Sequence, residues 1–192
     1  TDLEAYAEDV RAVMPAHYVF IAQTLADRGD LTPEPIAVAI EASERRGAIP
    51  AVGSGYGVRG YCRYFDGDLR GAEADVGIAL PLVSPPGLLV PMRLGVAGAM
   101  KIAIARGALD RAQELLDDLA GRSRPPGTGI PGALLLVARA ELRAASGRHV
   151  EARHDFIAVG ERVSWLPYAN PEVLGWRTGL ALSESALGNE EE

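Results

Sequence analysis

Cys62 is the only cysteine in this sequence, so no disulfide can close within the chain, and a reducing compartment such as the cytoplasm fits it. Lysine is as scarce. Lys101 stands alone, and arginine supplies the rest of the positive charge. Acids outnumber bases, leaving a net charge of −7, so nucleic-acid phosphates would be repelled and no direct DNA contact is expected from these residues. No run of about 18 uncharged apolar residues occurs, which argues against a membrane span. Strand patterns and low-complexity tracts are nearly missing. The beginning, Thr1-Asp2-Leu3-Glu4, is acidic and unlike a signal peptide. It also lacks an initiator methionine, and both ends read as cuts inside a longer protein. Hydrophobic residues make up 48% of the chain, enough for a continuous core, so bulk disorder is excluded.

What the chain does have is evenly spaced glycine. Gly29, Gly67, Gly107, Gly147 and Gly188 are separated by 38, 40, 40 and 41 residues. Fixed intervals of this size mark stacked helical repeats. Alanine follows five residues after three of them, at Ala72, Ala112 and Ala152. A glycine just past a helix takes the left-handed conformation that closes the last turn. The alanine, one turn into the next helix, permits close approach. The unit is therefore helix, tight turn, helix.

First helices are expected at about 16–28, 49–65, 87–106, 132–146 and 171–187. Second helices are expected at about 33–46, 69–80, 109–120 and 149–162, with one further helix at about 2–13. Thr32-Pro33-Glu34 and Asn170-Pro171-Glu172 each supply a cap, a proline at the first helical position and an acid in the first turn. Asp68 and Asn189 are further caps. The apolar face of Leu109, Ala112, Leu115, Leu116 and Leu119 keeps helical spacing. Ser84-Pro85-Pro86-Gly87 and the stretch from Gly121 to Gly132 read as loops between pairs. The expected fold is all-α: a right-handed superhelix of tetratricopeptide-like pairs with a period of about 40. It would be one domain over 1–192, with pairs at 16–46, 49–80, 87–120, 132–162 and an incomplete one at 171–192.

Asn170-Pro171-Glu172-Val173-Leu174-Gly175-Trp176-Arg177, followed by Ala181-Leu182 and Ala186-Leu187-Gly188, resembles a signature of large ATP-binding, MalT-like regulators of the LuxR type, common in actinobacteria. Arg45-Arg46-Gly47 and the run from Tyr64 to Ala74 are similar to the preceding repeats of such proteins. The resemblance covers about residue 40 onward. It implies a helical-repeat region lying between an NTPase module and a DNA-binding helix-turn-helix. This chain has no G-x-x-x-x-G-K-[ST] loop and no terminal helix-turn-helix, so it would correspond to the middle part. A sensing or interaction role is implied, in signal-dependent transcription regulation.

Several motifs invite chemistry. Gly53-Ser54-Gly55-Tyr56-Gly57, Gly95 and Gly98 could suggest a phosphate cradle, but none follows a strand, and close helix packing explains them better. His149 and His154 are five apart, off a common helical face, and His17 is remote; no group has zinc spacing. Cys62 lacks an obvious base and reads as a buried, inert thiol. Asp117-Asp118 reads as a solvated patch. Trp165, Tyr168 and Trp176 are expected to staple a loop to the core.

Charge is distributed unevenly. From residue 49 onward the first helices carry net positive charge and the second helices net negative charge. First helices usually line the concave surface of such arrays. Arg59, Arg63, Arg93, Lys101, Arg139, Arg143 and Arg177 therefore form a candidate groove for an acidic peptide, an acidic face of the parent chain or a small anionic effector. The competing reading pairs these charges with neighbouring second helices. No catalytic group, metal or cofactor is assigned. The expected function is an interaction or effector-sensing region without chemistry of its own. A generic peptide-binding scaffold is the alternative, an all-helical enzyme is less favoured, and a homodimer is a further partner state.

Overall fold

A computed structural model describes residues 33–83, 89–122, 129–165 and 174–189. Among them are eight helices and no strand: α1 (Pro33–Arg45), α2 (Ile49–Phe65), α3 (Leu69–Val83), α4 (Leu89–Ala105), α5 (Leu109–Arg122), α6 (Gly129–Ala145), α7 (His149–Val163) and α8 (Trp176–Ala186). The protein is all-α over these residues. The expected helices at 2–13 and 16–28 lie outside the described residues, as do Gly29, Thr32, His17, Tyr168, Asn170 and the Ser84–Gly87 loop.

The turns follow from glycine. Gly67, Gly107, Gly147 and Gly188 have φ of 82°, 73°, 74° and 75°, a region that costs a residue with a Cβ about 1 kcal/mol or more. After Gly107 and Gly147 the chain closes a Schellman motif: Ala108 N–H donates to the Ala103 carbonyl at 2.8 Å, and Arg148 N–H to the Arg143 carbonyl at 2.8 Å. Sequence spacing missed one such turn. Gly47, with φ of 69°, closes α1 onto α2 by the same bonds. Asp68 caps α3 as expected, its Oδ1 accepting the Gly71 N–H at 2.9 Å.

Helix ends depart from expectation in three places. α3 runs on to Val83 through Pro81. The proline leaves the helix without one N–H donor, and residue 77, four positions earlier, is exposed. α6 starts at Gly129, with Pro131 in its first turn. α8 starts at Trp176 rather than near 171: Leu174 turns into the core and Gly175 serves as the cap.

The chain divides into two compact units, 1–95 and 96–192. In the first, α2 packs on α1 and α3. A Cβ at Gly60 would sit 3.2 Å from the Ala72 carbonyl oxygen and 2.8 Å from Val76 Cγ2, so the two backbones nearly touch there. Gly53 lies similarly against Leu82, and Gly55 against Ile40. The glycine-rich run is therefore a helical packing surface. In the second unit, α7 packs on α6 and α8 around Phe156, Ala140 and Ala152, with Trp176 and Leu180 at the edge. Ala112, Ala152 and Ala72 are fully buried, which fits the close approach inferred from their spacing.

Candidate functional site

Four of the seven groove candidates are held by two acids that charge counting did not single out. In the first unit, Arg59 on α2 forks Asp75 on α3, with Nε donating to Oδ2 at 2.8 Å and Nη2 to Oδ1 at 2.7 Å. Arg63, one turn further along α2, reaches the same carboxylate at 3.0 Å and the Gly71 carbonyl at 3.2 Å. Asp75 is only 2% exposed. Both of its oxygens are thus engaged by guanidinium donors, the geometry in which a buried carboxylate is tolerated. Hydrogen bonding to Asp75 raises the Arg59 pKa further above its usual value, against the opposing effect of burial. Tyr56 also lies under Arg59, its ring centroid 4.9 Å from the guanidinium carbon.

The second unit repeats this arrangement. Arg139 on α6 forks Asp155 on α7 at 2.8 and 2.7 Å, and Arg143 adds a third contact at 2.7 Å. Arg143 also donates to the Glu151 carbonyl at 3.4 Å. Each member of this set stands 80 residues after its counterpart: 59 and 139, 63 and 143, 75 and 155. The hairpin between them carries Ala99, Ala103 and Leu115 at the equivalent positions, 40 residues from each. Both charges and their acid are absent together. That is the outcome electrostatics favours, because removing one partner of a buried pair costs about 3–5 kcal/mol while replacing the whole set by apolar groups is roughly neutral.

Lys101 is 4% exposed and bonds Glu141, linking α4 to α6 across 40 residues. Arg93 is half-buried, with a buried Nε that meets no hydrogen-bond partner. Arg177 is exposed and lies over the Trp176 ring at 4.4 Å. Four of the seven groove candidates therefore form two separate ionic clusters within hairpins, Lys101 is buried in a pair, and only Arg177 is exposed. Asp75 and Asp155 were the missed residues. Aligning the chain on Gly67 and Gly147 would have found them, since each acid lies eight residues after its glycine.

The other singled-out residues fall as follows. Cys62 is buried and its thiol pKa is pushed up to about 11, chiefly by desolvation and then by the Asp66 charge. His154 is exposed, while His149 holds a buried Nδ1 with no hydrogen-bond partner. Asp117 and Asp118 are exposed. Trp176 packs against Gly160, but Trp165 is 64% exposed in the turn after α7 and does not act as a staple. No helix among the described residues is long and apolar enough to cross a membrane. Compared with family models, curated proteins and solved structures, the chain matches none of them.

Proposed function

We propose that this chain is a protein-interaction or effector-sensing helical-repeat region of a LuxR-type transcription regulator, with no chemistry of its own. The observation that carries the repeat part is the return of one ionic set, Arg-Arg-Asp, 80 residues later in a second helical hairpin. Hairpins that recur at a fixed interval and cannot bury their faces alone are the building units of solenoids, and solenoids act by presenting extended surfaces to partners. The finer architecture we infer is a right-handed tetratricopeptide-like superhelix with a period of about 40 residues. The regulator part rests on the sequence resemblance near Trp176.

Because Asp75 and Asp155 engage Arg59, Arg63, Arg139 and Arg143, the groove reading shifts from a small anionic effector toward a protein partner or another part of the parent chain. A ligand anion would have to displace an internal carboxylate before gaining these forks. Its differential affinity would be reduced by that exchange. Reading the flanking coding sequence tests the proposal. A phosphate-binding loop upstream and a helix-turn-helix downstream are expected. Finding neither overturns the regulator assignment and leaves a peptide-binding scaffold.

A further inference from the structure

Near-equivalent hairpins in one chain create a hazard. The first helix of one hairpin can pair with the second helix of the next, and such slips lead to swapped dimers and trapped states. A slip by one repeat is the most accessible, because it closes the shortest alternative loop. The three hairpins from α2 to α7 are not equivalent in one respect. The outer two carry Arg59, Arg63 and Asp75, or Arg139, Arg143 and Asp155, and the middle one carries Ala99, Ala103 and Leu115 at the same positions.

We propose that this ionic–apolar–ionic alternation is a register key, which holds each first helix to its own second helix and excludes pairing one repeat out of step. If α2 paired with α5, the Arg59 and Arg63 forks would meet Leu115 in place of a carboxylate. If α4 took the place of α2 on the face of α3 that carries Asp75, that acid, now 2% exposed, would face Ala99 and Ala103 and keep no guanidinium donor. The same conflict arises if Arg139 and Arg143 of α6 face Leu115 of α5, or if Asp155 of α7 faces Ala99 and Ala103 of α4. Each of these slips strands a charge, while the two native ionic pairings, α2 with α3 and α6 with α7, satisfy theirs. A slip by two repeats would match keys but must close a far longer loop.

The test removes the contrast between neighbours in two opposite ways within the whole 192-residue chain. One variant, Ala99→Arg with Ala103→Arg and Leu115→Asp, makes all three hairpins ionic. The other, Arg59→Ala with Arg63→Ala and Asp75→Leu, makes two neighbouring hairpins apolar. Each is unfolded in urea, refolded by dilution, and compared with the unaltered chain by size-exclusion chromatography and by counting amide signals in nitrogen-15 spectra. With the slip penalty removed, the share of larger species or doubled amide signals should rise by about tenfold or more. Refolding of the apolar variant to a single species as cleanly as the unaltered chain overturns the proposal. Loss of helix in that variant overturns it too, because the ionic set would then hold the hairpin together and not choose its partner. If the ionic variant fails to fold, the apolar variant alone decides.

Discussion

Arg139 grips Asp155 through Nε and Nη2 at 2.8 and 2.7 Å, and these are the same two distances by which Arg59 grips Asp75 in another hairpin. Two independent helix pairs have thus reached one solution to one problem: an acid buried on the second helix, satisfied from the first.

Asp155→Ala should leave Arg139 and Arg143 with no carboxylate and lower stability by about 3 kcal/mol, the lower end for a broken buried pair because the arginine side chains remain 25% exposed. The triple replacement Arg139→Ala, Arg143→Ala, Asp155→Leu should recover most of that loss, so the effects will be strongly non-additive. Urea unfolding measures both. A cost below about 1 kcal/mol for Asp155→Ala contradicts a structural role for the set.

A surface pair should behave differently. Arg111 and Glu114 are 2.9 Å apart, with side chains 60% and 67% exposed. Arg111→Ala should change stability by about 0.5 kcal/mol or less, and added salt should erase the difference.

Two helical glycines should respond to alanine with opposite signs. A Cβ at Gly179 would lie on the Phe156 ring, so Gly179→Ala should destabilise by about 1–3 kcal/mol through overpacking. Nothing lies within 4 Å of a Cβ at Gly77, and Gly77→Ala should gain about 0.5–1 kcal/mol from reduced unfolded-state entropy. Thermal unfolding of both variants distinguishes packing from helix propensity.

Cys62 should resist thiol reagents in the folded chain at neutral pH and react once the chain is unfolded. Its pKa rises from 9.0 to about 11 on folding, so the folded state keeps the proton longer. This contribution to stability is whole below pH 9.0 and is lost as pH climbs toward about 11. Denaturant midpoints across that window should fall less for Cys62→Ala than for the unaltered chain.

Much of the fold was legible because it rests on local chemistry. Gly67, Gly107 and Gly147 end helices by a backbone requirement that only glycine meets cheaply, so their spacing announces the hairpins directly. The ends of α8 and α3 were less legible. There, Leu174 turns into the core and α3 runs on through Pro81 to a buried Val83, and both depend on burial. Counting charge along each helix located Arg59, Arg63, Arg139 and Arg143, but net charge discards which acid faces which base.

Sequence alone determined the helical class and most of the turn positions, because glycine conformation and apolar periodicity act within a few residues. It also held the 80-residue recurrence of Arg-Arg-Asp in plain view. Tertiary structure decided what those arginines do. A charge on a helix can meet solvent, a ligand or an acid on the next helix, and those outcomes differ only in distance and burial. With Asp75 2% and Asp155 5% exposed, desolvation made internal pairing obligatory, and the arginines belong to the hairpins before they can belong to a partner.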